Sequence, residues 1–209
     1  MPSTPRLVLG TGNRKKAAEL IELLRPAGWT IETLADYPPG PAVEETGDSF
    51  AANALLKAVA QARRLNRWVL GEDSGLAVDA LRGAPGILSA RFAGSEATDE
   101  DNNRHLLAAL EGVPAERRGA HYVCSMVVVD QAGTVHATSE AICRGRIRAA
   151  PSGTGGFGYD PLFEILEYHR TFGELGPSVK AILSHRARAA AELLPQLVEL
   201  SEASGAEVQ

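Results

Sequence analysis

The sequence predicts an α/β protein with a mixed central sheet flanked by helices, on three observations. A short apolar strand, a glycine turn and an amphipathic helix follow one another in RLVLGTGNRKKAAELIELL. A second apolar run, Trp68 with Val69 and Leu70, is preceded by a long helical pattern that opens at Asp48 or Ser49. Further on, residues 120–129 and 134–144 are two β-rich segments joined by the turn residues 130–133, an antiparallel hairpin. Strands alternating with helices, plus one hairpin, give both parallel and antiparallel pairs in one sheet.

At 209 residues the chain is one domain, or one domain with two lobes, and is long enough to bury a substantial core. The N-terminus MPSTPRLVLG is too short and too broken by proline for a secretory signal, and no apolar run is long enough to span a membrane, so the expected location is the cytoplasm. Cys124 and Cys143 lack metal or redox spacing and read as buried thiols. The net charge of −5 argues against sequence-independent nucleic-acid binding. A small polyanionic ligand would need local cations or a metal against that background.

Taken in order, Arg6 to Gly10 is the first strand, Thr11, Gly12 and Asn13 are the turn and cap, and a helix carrying Ala17, Leu20, Ile21 and Leu24 stops at Pro26 to Gly28. A helix N-terminus after a glycine turn suits an anion. Arg14, Lys15 and Lys16 sit in its first turn, where cations oppose the helix dipole unless an anion lies nearby. No GxxxxGK[ST] or complete GxGxxG is present there.

Residues 29–34 predict a second strand, and residues 35–47, rich in proline and acid, a surface loop in which Glu44 or Glu45 is a candidate metal ligand beside solvated charge as the plain alternative. The helix from Asp48 or Ser49 to about Asn66 is expected to bury Ala52, Leu55, Leu56, Val59 and Ala62, with Asn53 and Lys57 one turn apart on another face.

The strand at Trp68 is expected to end in Gly71, Glu72, Asp73, Ser74 and Gly75. Open α/β sheets bind ligands beyond the carboxyl ends of their strands. Strand alternation sends the two acids to opposite faces, and Asp73, next to the turn, is the chosen one. Thr98 or Asp99 then caps a helix that buries Leu106, Leu107 and Leu110.

In PSGTGGFGYDPLFEI, Gly153, Gly155 and Gly158 match GxGxxG literally, yet Tyr159, Asp160 and Pro161 follow where a helix should open, so a dinucleotide site is rejected. A glycine-rich loop carrying Phe157 and Tyr159 suggests stacking on a planar ligand. Lys180, His185 and Arg186 precede an Ala/Leu-rich terminal helix with Pro195 as a kink, and are candidates for phosphate or a base edge. The last nine residues read as a frayed tail.

Together TGNRKKAAEL, EETGDSFAANALLKA, EDSGLAVDALRGAPGILSARFAG, GTGGFGYDPLF and KAILSHR resemble, in order and spacing, the motifs of the noncanonical purine nucleoside triphosphate pyrophosphatases (inosine/xanthosine triphosphate pyrophosphatases). The resemblance implies a two-lobed α/β enzyme around a central cleft, homodimeric and magnesium-dependent. It would hydrolyse ITP, dITP and XTP to the monophosphate and pyrophosphate and so cleanse the nucleotide pool. By position it makes Glu44 and Asp73 magnesium ligands and Asp73 the proton acceptor. Thr11, Gly12, Asn13, Arg14, Lys15, Lys16, Ser74, Phe157, Gly158, Tyr159, Asp160, Lys180, His185 and Arg186 become nucleotide contacts, with Lys57 screening phosphate charge. Glu72 stands in place of a frequent Asp, Val179 in place of Glu, and Ala181 where Asn or Ser is common. Two alternatives are a pyrophosphatase for other modified nucleotides and a nucleotide-binding regulator without catalysis.

Overall fold

The computed structural model describes residues 4–206. Leu7, Val8 and Leu9 are fully buried and form strand β1 (Arg6–Leu9). The chain then turns into helix α1 (Arg14–Leu24), strand β2 (Thr30–Thr33), helix α2 (Phe50–Leu65) and strand β3 (Trp68–Val78). Helix α3 (Asp99–Ala109) and strands β4 (Gly119–Val129) and β5 (Val135–Ile147) follow. The short strands β6 (Phe163–Ile165) and β7 (Arg170–Thr171) lead to helices α4 (Phe172–Leu183) and α5 (His185–Ala206).

The seven strands are ordered β2-β1-β3-β4-β5-β6-β7. β1 pairs in parallel with β2 and β3, while β5 with β6 and β6 with β7 are antiparallel. The sheet is therefore mixed, as the sequence predicts. The expected hairpin closes through the Asp130 amide donating to the Thr134 carbonyl. No helix among the described residues is long and apolar enough to cross a membrane.

The chain divides into two compact units. In the first (described residues 4–73, 124–141 and 186–206) the sheet is covered on both faces. Leu7, Leu9, Leu70 and Met126 pack with Leu20 and Leu24 of α1 and Leu193 and Leu197 of α5. Val8, Val69 and Val127 pack instead with Ala54, Ala58 and Ala62 of α2. In the second unit (residues 74–123 and 142–185) Leu76, Val78, Tyr122 and Phe163 pack with Leu106 of α3 and Phe172 of α4.

Three local expectations change. β3 does not end at Gly71 but runs on to Val78, so both acids lie inside a strand. Its parallel neighbour stops first: β1 is paired with β3 only as far as Leu9 and Leu70, and the Gly10 amide donates the next bond to the Leu70 carbonyl. Helix α2 begins after the Ser49 cap and ends at a left-handed Asn66, as its signals indicate, yet its inner face is Asn53, Ala54, Ala58, Gln61 and Ala62. Leu55 and Leu56 point outward. The reason is proximity: a Cβ on Gly71 would stand 2.1 Å from the Ala54 carbonyl oxygen and 2.8 Å from Ala58 Cβ, so at positions 54 and 58 only small side chains fit between helix and strand. Finally, α5 continues through Pro195 to Ala206, where a tail from residue 201 is expected; residues 207–209 lie outside the described part.

Candidate active site

In the first unit, acids and lysines meet where β3 extends past the end of β1. Glu72 and Asp73 are 1% and 6% exposed. Glu72 shares its face with Leu70 and meets α1 and α5: its carboxylate lies 3.1 Å from Lys16 Nζ and 2.9 Å from Arg186 Nη2. Arg186 also reaches Glu19 at 2.6 Å, and the Cys124 thiol donates to Glu72 at 3.4 Å. Burial alone would lower the Arg186 pKa, but Glu72 and Glu19 outweigh it and hold the guanidinium charged. Burial, helped by Glu72, keeps the Cys124 thiol protonated.

Asp73 faces the other way, onto α2. Its Oδ1 accepts from Lys57 Nζ at 2.7 Å, and Glu45 approaches the same ammonium at 3.5 Å. Its Oδ2 is buried and has no hydrogen-bond partner among the described residues. Burial raises the Asp73 pKa, Lys57 and Lys16 pull it back, and Glu45 adds to the rise. The net result is a carboxylate more basic than an ordinary one, with one oxygen held by Lys57 and the other buried without a partner among the described residues. That is the disposition of a general base or a metal ligand. The two neighbours of Asp73, Glu45 and Lys57, line a cavity of about 350 Å³, together with Gly10, Gly12, Pro39 and Arg64 among others.

The N-terminal loop supplies Lys16 to this cluster. Asn13 caps α1, its side-chain oxygen accepting from the amides of Lys15 and Lys16, while its own amide donates to Thr11 Oγ1. Two of the free helix N–H groups are thus already used. Arg14 and Lys15 stay exposed, whereas Lys16 turns back to Glu72, which is the anion that offsets a cation at a helix N-terminus. Glu44 is exposed; the acid that the loop carries to Lys57 is its neighbour Glu45. Ser74 follows Asp73 on β3 and is half-buried.

The second unit gathers a different set. The Lys180 ammonium sits 4.2 Å from the centre of the Phe157 ring and donates to Asp160 Oδ2 at 2.7 Å. The same Asp160 oxygen accepts from the Phe157 amide at 2.8 Å. Gly158 is pinned by α3, its amide on Asp99 and its carbonyl on Asn103. Tyr159 is buried with its hydroxyl on the Ser89 carbonyl, and burial, then Asp99, raises its pKa. His185 is buried and stacks on Tyr122, centroids 4.5 Å apart. No helix follows the glycine-rich loop; turns and then β6 do, in keeping with rejection of a dinucleotide site.

The structure therefore joins Lys16, Lys57, Asp73 and Arg186 in one unit and Phe157, Asp160 and Lys180 in the other. Glu19 is not legible from sequence, and the divergence of adjacent strand residues that selects Asp73 passes over Glu72. Their only sequence signal is helical spacing from the Lys16 turn for one and β alternation from Leu70 for the other.

Comparison with known proteins agrees over nearly the whole chain. A dITP/XTP pyrophosphatase of Rhodopirellula baltica is 51% identical over 198 residues, covering 95% of both chains. One from Desulforamulus reducens is 46% identical, covering 92% of this chain and 96% of that one. Among solved structures, a HAM1 protein from Coxiella burnetii superposes with a TM-score of 0.85 at 35% identity, covering 93% of this chain and 99% of that one. The model of the Ham1 family matches residues 7–196, and the chain belongs to the Ham1 family.

Proposed function

We propose that this protein is a nucleoside triphosphate pyrophosphohydrolase that converts dITP, XTP and ITP to the monophosphate and pyrophosphate, with magnesium as cofactor. The observation that carries the reading is Asp73, a buried carboxylate with Oδ1 fixed by Lys57 and Oδ2 without a partner among the described residues. Relatives 46–51% identical over more than nine-tenths of the chain bear the name dITP/XTP pyrophosphatase, which supports the same chemistry.

In this reading Asp73 Oδ2 orients a water and takes its proton as the oxygen bonds to the α-phosphorus. The bond from that phosphorus to the bridging oxygen breaks, and pyrophosphate leaves with the electron pair. Lys57 keeps the carboxylate aimed, and Lys16 and Lys57 provide positive charge. Magnesium takes one or two carboxylates and completes its shell with water and phosphate oxygens, and Asp73 with Glu45 offers such a set. No cluster of three potential ligands exists among the described residues. Bound there, the ion would supply charge to the phosphate oxygens. Glu44, the ligand implied by resemblance, would have to turn in from the surface.

The Phe157 ring, backed by Lys180, is a stacking surface for a purine. A 6-oxo purine accepts a hydrogen bond where adenine donates one, so a buried donor rejects ATP by leaving a group unpaired. The reading extends to a cytoplasmic homodimer; sedimentation of the purified protein tests the dimer, and cell fractionation tests the location. Pyrophosphate release from ITP, dITP and XTP, against ATP, GTP, dUTP and methylated nucleotides, with and without magnesium, tests the activity. Preference for the deaminated purines supports it; turnover only of the pyrimidine or methylated substrates contradicts it.

A further inference from the structure

Asn53 is completely buried in the first turn of α2, one turn before Lys57. Its Oδ1 accepts from the Gly47 amide at 2.8 Å, and its Nδ2 has no hydrogen-bond partner among the described residues. The bond this buried amide makes is to the acid loop and not within its own helix, and its other polar group is left without a partner among the described residues, at a cost in stability. Gly47 is equally constrained: an added Cβ would lie 2.7 Å from both Ala52 Cβ and Asn53 Oδ1. The acid loop is therefore seated directly on the start of the helix. Glu45 is two residues before Gly47, and it reaches Lys57 Nζ, which holds Asp73.

We propose that Asn53 is a positioning residue, whose bond to the Gly47 amide anchors the acid loop to α2 so that Glu45 stays beside Lys57 and Asp73. It touches neither substrate nor metal. One consequence is that the two acids are held as a preformed pair, because α2 fixes Lys57 and the seat of the Glu45 loop together. The inference rests on reading Asp73 and its neighbours as the catalytic cluster.

Two measurements on the full chain test it without relying on turnover. Hydrogen exchange of the Gly47 amide should speed at least about tenfold in Asn53→Ala, while core amides of β3 keep their protection. Affinity for Mn²⁺ alone, read by electron paramagnetic resonance, should fall by about tenfold in Asn53→Ala and should not fall further when Asn53→Ala is added to Glu45→Gln. Gly47→Ala, which keeps Asn53 and crowds the loop, should reproduce the Mn²⁺ loss if Asn53→Ala fails to fold. Unchanged Gly47 exchange, additive losses in the two backgrounds, or no Mn²⁺ binding by the unaltered protein would each overturn the proposal. A lack of dITP hydrolysis with the Mn²⁺ cycle intact would sink the substrate reading and leave Asn53 in this role.

Discussion

Glu72 and Asp73 are consecutive on β3 and serve opposite faces of the sheet: Glu72 pairs with Lys16 and Arg186 of α1 and α5, Asp73 with Lys57 of α2. One acid is spent on joining two helices to the strand. The other keeps a buried oxygen without a hydrogen-bond partner among the described residues.

Removing a partner from the Glu72 group leaves a buried charge uncompensated. Glu72→Ala or Arg186→Met should therefore cost about 3–5 kcal/mol of folding stability, checked by denaturant unfolding. A loss below about 1 kcal/mol would show that the group is not a structural centre.

Asp73 behaves differently because burial raises its pKa. An acid raised in the folded state favours folding at low pH, and that contribution disappears as pH rises through its folded pKa. At neutral pH the charged form is the costly one. Asp73→Asn should then keep or gain thermal stability at pH 7 while losing turnover.

Asp130 has the opposite sign. Its hydrogen bond from His136 and those from the Thr134 and Ala132 amides lower its pKa from 3.8 to about 2. Its stabilising effect is complete above about pH 4 and is lost as pH falls through about 2. Asp130→Asn should remove that step from the acid unfolding curve and leave activity near neutral pH unchanged.

Gly71→Ala forces the α2 backbone away from β3, since the new Cβ would meet the Ala54 carbonyl at 2.1 Å and Ala58 Cβ at 2.8 Å. Overpacking of this kind costs about 1–3 kcal/mol. Because α2 carries Lys57, kcat should fall along with melting temperature.

Much of this was legible because local chemistry is local. Asn13, Ser49 and Thr98 announce three helix starts, and each caps the helix its position indicates. The α2 face was not legible: Leu55 and Leu56 look like core, but the close approach at Gly71 requires small residues at Ala54 and Ala58 and turns that side of the helix inward. Gly71 and Gly75 read as breakers, whereas the structure keeps both within a strand. Which loop acid reaches Lys57 depends on the path of the loop across α2, and no periodicity encodes that path. Resemblance implies Glu44 as a metal ligand, whereas the loop acid that approaches Lys57 is Glu45. The second unit's Lys180 and Phe157 pair was visible only as a composition, a glycine loop and a distant lysine.

Phe157→Ala should raise KM for dITP by an amount equivalent to about 1–3 kcal/mol of lost stacking, with kcat less affected. Initial rates over a range of dITP concentrations check this, and an unchanged KM would remove Phe157 from the base site.

In the proposed reaction one carboxylate takes the proton, and pyrophosphate release from dITP by the unaltered protein and by Asp73→Asn, alongside nucleotide binding by calorimetry, tests that role. The variant should bind dITP within a few-fold of the unaltered protein and release no pyrophosphate above background. Release at the unaltered rate would contradict it.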